Sequence, residues 1–224
     1  VAGRDVDLGY IPGGFGNASR HLLRLPPEPA ALVEVLRAGR SRPVDLVEVD
    51  GDPRRLALFA GAGWDALVAG RYAAAGARRL RGWAAAVTRS VPDLWRRAPV
   101  EVRADGWVVH RGPMALLVAG MTPYYGRGLL VNPGARPDAG RLSLRVFPGP
   151  APRFALEAAR WALRVVPRAT RIDAREVSIR TLDGSALPLQ ADGDVLGERE
   201  AWHLAVRPAA VRLIGGWEEE RPEG

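Results

Sequence analysis

The chain of 224 residues contains no cysteine. Disulfides, zinc–thiolate centres and cysteine nucleophiles are therefore excluded. Lysine is missing too, so all 32 positions counted as Lys or Arg are arginine. That removes Schiff-base chemistry and the lysine of a Walker-type phosphate loop. Histidine is scarce, and His21, His110 and His203 show no metal-ligand spacing. No apolar run approaches the ~20 residues that span a bilayer, and the nearest, residues 114–121, has the length of a buried strand. The start lacks a charged segment followed by an apolar one, so no secretory signal is recognised and a cytoplasmic location is expected.

What remains is a core-forming composition, 47% hydrophobic and 25% charged, sufficient for one large or two small domains. The net charge of +7 suits contact with anionic lipid surfaces, nucleotides or nucleic acid. Arginines and acids are mixed along most of the chain. There is no helix-turn-helix, zinc site or basic patch interleaved with aromatics, so nucleic acid is not an expected partner. A homodimer is left open.

The most informative stretch is Leu187-Pro-Leu-Gln-Ala-Asp-Gly-Asp-Val-Leu-Gly-Glu198. Leu187, Leu189 and Ala191 alternate with Pro188 and Gln190, the period of a half-buried strand. Asp192-Gly193 is a favoured pair for a tight hairpin turn. Beyond it, Trp202, Leu204 and Val206 resume the alternation. Asp192 and Asp194 then sit at the hairpin tip, where a carboxylate pair holds a metal, takes a proton, or forms an ordinary solvated turn. A second stretch, Gly9-Tyr-Ile-Pro-Gly-Gly-Phe-Gly-Asn17, places Gly13, Gly14 and Gly16 before a helix expected over residues 18–25, with Asn17 as its N-cap. Such a loop is either an anion site at a helix N-terminus or a plain connection.

The other elements follow from the same signals. Helix is expected over 28–38, 77–90 and 152–166, the last with Phe154, Ala158, Trp161 and Val165 on one face. Strand is expected over 43–49, 55–60, 100–103, 107–110, 114–120 and 141–147. Turns are expected at Asp50-Gly51 and Ala104-Asp105-Gly106. The shift from helices to strands sets a domain boundary near residue 41.

In this order the pieces resemble the bacterial diacylglycerol kinase and sphingosine kinase-like lipid kinase family, in an N-terminally truncated form. Ile11-Pro-Gly-Gly-Phe-Gly-Asn17 is similar to its Pro-x-Gly-Thr-x-Asn nucleotide loop, and Arg42-Pro-Val-Asp-Leu46 to the start of its second domain. Phe59-Ala-Gly-Ala-Gly-Trp-Asp65 resembles its Phe-x-x-x-x-Gly-Phe-Asp segment. Tyr124-Tyr-Gly-Arg-Gly128, Asn132-Pro-Gly-Ala135 and Gly140-Arg-Leu142 resemble its Tyr-Gly-Gly-Gly, Pro-x-Ala and Asp-Gly-x-Leu pattern. Gln190-Ala-Asp-Gly-Asp194 resembles the stretch holding its Asp-Gly-Glu.

The resemblance implies an α+β protein. Residues 1–40 would be the last part of an α/β nucleotide-binding domain, and 41–224 a mostly antiparallel, β-sandwich-like lipid-binding domain whose final strand returns to the first. It implies an ATP-dependent lipid kinase acting on a diacylglycerol-like hydroxyl, with peripheral contact at anionic membrane. The alternative is a non-catalytic lipid- or partner-binding module that keeps the fold. Asp194 would take the proton-acceptor position and Asp192 that of the acid beside it, the two carrying the proton chemistry. Gly13, Gly14, Phe15, Gly16 and Asn17 would line the phosphates of ATP, and Asp138 would hold Mg2+. Phe15 stands where the family has Thr, Ala18 where an Asp often follows the Asn, and Ala139 where its metal-linked Asp falls. Asp194 is one methylene shorter than the family's Glu.

Overall fold

A computed structural model describes residues 6–13, 16–76, 80–95, 98–126, 128–148, 151–163 and 165–217. Gly14, Phe15, the expected helix start at 77–79, and the Ala158 and Trp161 side chains lie outside the described set. The first segment carries β1 (Asp7–Leu8), α1 (Ala18–Leu22) and α2 (Pro29–Ala38). A proline starts α2, where its missing N–H has no helical partner to lose, and Gly39 ends it at φ 63. Helix then gives way to β2 (Ser41–Val49), β3 (Asp52–Ala57) and β4 (Phe59–Gly63). Next come α3 (Trp64–Ala74), α4 (Leu80–Ser90) and a 3-10 turn over Val91–Trp95. After them run β5 (Pro99–Ala104), β6 (Trp107–Gly120), β7 (Tyr124–Tyr125), β8 (Leu129–Leu130) and β9 (Leu142–Pro148). The chain continues through α5 (Ala151–Ala162), β10 (Arg171–Ala174) and β11 (Glu176–Thr181). It closes with β12 (Leu187–Ala191), β13 (Asp194–Arg199) and β14 (Ala201–Ile214).

Three Asp-Gly pairs fold strands back on themselves. Asp50-Gly51 joins β2 to β3, Asp105-Gly106 joins β5 to β6, and Asp192-Gly193 joins β12 to β13. Both residues of each pair have positive φ, between 48 and 98. That conformation matches the twist of the flanking strands, and Asp followed by Gly adopts it readily.

β6 belongs to two sheets. Its first half pairs with β5, and its second half lies between β4 and β9. Gly112, at φ 142, sits just before the change, in a conformation that side chains disfavour. One sheet runs β3-β2-β14-β11-β5-β6, and the other β13-β12-β4-β6-β9-β10. All these pairings are antiparallel, and β1 adds in parallel beside the end of β14. Alternate residues face between the sheets: Val47, Val49, Val102, Ile179, Trp202 and Leu204 from one, Leu117, Leu144, Leu187 and Leu189 from the other. This is the sandwich core.

The outer faces are covered separately. Val44 and Leu46 of β2 pack with Leu22 of α1 and with Ala210. Leu116 and Val118 of β6 pack with Leu94 and Phe154, beneath the 3-10 turn and α5. β2 thus buries both of its faces, Val44 and Leu46 outward, Val47 and Val49 inward, as its run of apolar residues predicts.

Four expectations are corrected. The single strand over 55–60 is two strands broken at Leu58, whose N–H is taken by the Asp192 side chain. The strands at 107–110 and 114–120 are one 14-residue strand, because β6 changes sheets without leaving the ladder. β13 is an edge strand whose exposed Asp194, Val195, Glu198 and Arg199 show no apolar alternation. The hairpin partner of β12 is therefore β13 and not the alternating stretch at Trp202, Leu204 and Val206, which belongs to β14. The expected helix over 18–25 is only Ala18–Leu22, and Asn17, at φ 48, makes no side-chain cap.

Trp202 is 2% exposed, and its indole N–H bonds the Leu187 carbonyl at 2.8 Å, tying the two sheets together. Trp202→Ala is expected to lower stability by about 3–5 kcal/mol, measured by urea unfolding. A loss under about 1 kcal/mol would show that the sheets pack without it.

Candidate functional site

The same turn chemistry recurs at these three hairpin Asp-Gly pairs, and each aspartate reaches beyond its own hairpin. Asp50 accepts from the His203 N–H at 3.0 Å and from Arg199 at 2.8 Å. Asp105 accepts from the N–H groups of Arg175 and Glu176 at 2.8 and 3.0 Å. Asp192 accepts from the N–H groups of Leu58 and Phe59 at 2.9 and 3.1 Å, one on each carboxylate oxygen. Its own N–H returns a bond to the Phe59 carbonyl at 3.1 Å. Asp192 therefore clamps the β12–β13 tip to the break between β3 and β4.

Asp194 differs. It is exposed, opens β13, and makes no side-chain hydrogen bond or ion pair among the described residues. Of the two carboxylates expected at the tip, one is an anchor and the other faces solvent uncommitted. Protein around the Asp192 carboxyl pushes it up to about 6, opposed by the two backbone bonds and helped by the charge of Asp194. Solvent still reaches the Asp192 residue, so this shift carries little weight for stability.

Beneath the turn lies a polar cluster that sequence reading did not single out. Asp65, in the first turn of α3, accepts hydrogen bonds on Oδ2 from the Tyr125 hydroxyl and from Gln190 Nε2, the latter at 3.0 Å. Gln190 Nε2 also donates to the Tyr125 hydroxyl at 2.6 Å. Gln190 Oε1 accepts the Gly193 N–H at 2.8 Å, so the cluster reaches into the turn itself. Gly61 on β4 passes directly above, and a Cβ there would strike Asp65, Tyr125 and Gln190 together. Burial pushes Asp65 up to about 6, and the Tyr125 and Gln190 bonds pull the other way. Burial, then the charge of Asp65, raises Tyr125 well above its ordinary value. Asp65 Oδ1 is buried with no hydrogen bond of good geometry, although the N–H groups of Asp65 and Ala66 favour its charge. The sequence signals were the glycine pair before Asp65, which keeps β4 open for these side chains, and the position of Asp65, Tyr125 and Gln190 within segments that resemble family motifs.

The glycine loop lies against the same region. Tyr10 donates from its hydroxyl to Asn17 Oδ1 at 3.2 Å, and Asn17 Nδ2 donates to the Pro12 carbonyl at 3.3 Å, closing the loop. Burial raises the Tyr10 hydroxyl's pKa, and the nearby Asp192 charge raises it further. Gly16 runs beside the Gly126 carbonyl, at 3.2 Å from where a Cβ would stand, and His21 stacks on Tyr124 with ring centres 5.3 Å apart. Gly13 is exposed with open space on its side-chain face. The helix behind the loop has only 5 residues. An anion here would rest on loop N–H groups rather than on a helix dipole.

Asp138 is placed elsewhere. Arg136 holds both of its oxygens at 3.1 Å and, with the Arg42 charge as a smaller influence, keeps its carboxyl below the usual value. Its loop is docked on β2 and β14 by the buried Asp45, which accepts from the N–H groups of Gly140 and Ala209 at 2.7 and 2.8 Å. Among the described residues no bond links Asp138 to Asp192 or Asp194, and no group of three His, Cys, Asp or Glu gathers as a metal site. The residues present do not build a cage for a divalent ion around Asp138.

A two-sheet β domain that sets a carboxylate turn beside a glycine loop defines the class. Residues 59–215 match the model of the YegS C-terminal NAD kinase beta sandwich-like domain. The chain is 30% identical over 232 residues to a diacylglycerol kinase of Mycobacterium tuberculosis (strain CDC 1551 / Oshkosh), covering 96% of this chain and 71% of that protein. A diacylglycerol kinase structure from Bacillus anthracis str. Sterne superposes with TM-score 0.67 at 16% identity, covering 94% of this chain and 67% of that one. Another solved chain from the same strain superposes with TM-score 0.71 at 18% identity, covering 94% and 70%. The chain belongs to the diacylglycerol kinase-like lipid kinase family.

Asp65 supplies a pH test of the cluster. Its carboxyl ordinarily titrates at 3.8 and in the fold at about 6, so between these values the folded state binds the extra proton. Its contribution to stability is complete below the lower value and is lost as pH rises through the upper one. Asp65→Asn cannot titrate, so the stability of the wild type relative to this variant is expected to shrink between about pH 4 and about pH 6.5. Urea unfolding of both proteins across that window is the measurement, and a difference that stays constant or grows would refute the assignment.

Proposed function

We propose that this protein transfers the γ-phosphate of ATP to a lipid hydroxyl, with diacylglycerol or a similar lipid as acceptor and Asp194 taking the proton. The acceptor oxygen attacks the γ-phosphorus, the bond to the bridging oxygen of ADP breaks, and the hydroxyl proton passes to the carboxylate. Such transfer depends on positioning and charge stabilisation more than on covalent help from the protein. The observation that carries the reading is the path of contacts from loop to turn: Gly16 runs beside the Gly126 carbonyl, and the neighbouring Tyr125 bonds Gln190, which accepts the Gly193 N–H. Family membership and the uncommitted, exposed Asp194 support it.

In this reading Gly13, Gly16 and Asn17 lie along the phosphates. The open face of Gly13 and the bond from Asn17 to the Pro12 carbonyl suit a phosphate chain. Asp192 fixes where Asp194 stands and does not itself exchange the proton. Magnesium would enter with the nucleotide's own oxygens, since Asp138 is engaged by Arg136.

The reading extends to a peripheral contact with anionic membrane. No helix among the described residues is long and apolar enough to cross a bilayer. α5 turns Phe154 inward at 2% exposure, while Leu156 and Leu163 stand outward at 57% and 77%. Trp95, on the 3-10 turn over the same core cluster, is 63% exposed. Arg153 on α5, Arg89 near the end of α4 and Arg168 beyond α5 are exposed without an ion pair among the described residues, whereas Asp93 is paired with Arg71 and Glu157 with Arg160. Outward apolar side chains among unpaired cations match an anionic lipid interface.

Two measurements test these readings. With labelled ATP and diacylglycerol in mixed micelles, wild type is expected to form labelled lipid, and Asp194→Asn to lower the rate at least about a hundredfold with folding intact. No transfer and no ATP binding by wild type would favour a non-catalytic lipid- or partner-binding module. For the membrane, sedimentation with phosphatidylserine vesicles should fall at high salt and fall further in Leu156→Ser/Leu163→Ser. Binding unchanged by either would place the contact elsewhere.

A further inference from the structure

Gln190 is 3% exposed, and all of its amide's polar atoms are engaged. The orientation of that amide is forced. The Gly193 N–H can only donate, so the atom facing it at 2.8 Å must be Oε1. Nε2 then faces Asp65 Oδ2 at 3.0 Å and the Tyr125 hydroxyl at 2.6 Å. The Tyr125 hydroxyl in turn donates to Asp65. No member of this cluster rotates without stranding a buried polar group, a costly outcome in a low-dielectric interior.

The cluster also spans the distance between the two parts of the proposed site. Gly193 lies between Asp192 and Asp194, so the Gln190 bond holds the Asp192–Gly193 peptide, one residue before Asp194. Tyr125 belongs to the segment whose next residue, Gly126, presents its carbonyl to Gly16 of the glycine loop. Tyr125 also packs on Phe59, ring centres 4.8 Å apart, and the Phe59 N–H is one of the two that clamp Asp192.

We propose that Gln190 and Tyr125 are positioning residues that hold the Asp194 turn and the glycine loop in one fixed relation, with Asp65 as their shared anchor. This rests on the kinase reading above. Neither side chain touches the reacting atoms; each acts through the placement of Asp194. A carboxylate displaced by about an ångström from the acceptor hydroxyl loses about a hundredfold in rate, so a tether of this kind acts on turnover more than on nucleotide affinity.

The test combines kinetics with a measurement that needs no turnover. Gln190→Leu is expected to lower kcat by about tenfold to a hundredfold while the KM for ATP changes by less than about threefold. Gln190→Glu, when protonated, keeps one donor towards Asp65 and one acceptor towards Gly193. Its activity relative to wild type should therefore rise as pH falls from about 7.5 to about 5.5. Tyr125→Phe, which removes only the hydroxyl, is expected to lower kcat in the same sense, and serves if Gln190→Leu does not fold. In 15N-resolved spectra, hydrogen exchange of the Gly193 amide should accelerate in Gln190→Leu. Wild-type turnover with Gln190→Leu and Tyr125→Phe at wild-type kcat would overturn this inference alone. Absence of transfer by wild type would overturn the kinase reading, and unchanged Gly193 exchange would then show that the tether itself is not there.

Discussion

The clamp between the Asp192 carboxylate and the N–H groups of Leu58 and Phe59 sets the geometry on which the site depends. It breaks one extended run into β3 and β4, and it fixes the tip of the β12–β13 hairpin against that break. With the hairpin held there, β12 pairs β4 through Leu189, Gln190 and Ala191. Gln190 is thereby brought over Gly61 and into contact with Asp65 and Tyr125. Asp194 is left at the surface because its neighbour has taken the structural bonds. The same solution appears at Asp50 and Asp105, where turn aspartates also satisfy backbone N–H groups from distant strands. Burying such donors unpaired costs free energy, and a carboxylate in a left-handed turn residue is well placed to accept from them.

Arginine, in a chain without lysine, performs a related task in the loops. Arg145 is 6% exposed and has no carboxylate bonded to it among the described residues. Its guanidinium donates to Asn132 Oδ1 at 3.1 Å, to the Pro167 carbonyl at 3.2 Å and to the Ala169 carbonyl. Burial lowers its pKa, and the nearby Arg171 lowers it further. Arg171 holds the Pro133 carbonyl and pairs with Asp173. Several donors fixed in one plane pin irregular backbone that a single ammonium group would not. The Asn132-Pro-Gly-Ala135 segment, which resembles a family motif, is therefore also a packing element: Asn132 bonds the Ser143 carbonyl at 3.0 Å while it receives Arg145.

Much of the fold was legible because its signals are local. Asp50-Gly51, Asp105-Gly106 and Asp192-Gly193 announced their hairpins, since the pair's tolerance of positive φ is a property of the residues themselves. β2 was legible from its apolar residues on both faces, β12 from alternation, and α2 from its proline start and glycine end. The errors fell where tertiary contacts override local preference. Leu58 is an ordinary strand residue until the Asp192 side chain takes its N–H. Asn17 is a good helix cap by composition, yet its amide is drawn to Tyr10 and Pro12.

The site divides along the same line. Sequence alone determined that two carboxylates flank a tight turn, that a glycine-rich loop lies near the start, and that no cysteine or lysine chemistry is available. Only the tertiary structure decided which carboxylate is the anchor and which is free. It alone brought Tyr10, Asp65, Tyr125 and Gln190 to the turn, although Asp65 and Gln190 are 125 residues apart. A turn is set by the φ and ψ of its own residues, whereas a carboxyl's partners, burial and pKa are set by whatever the folded chain places around it.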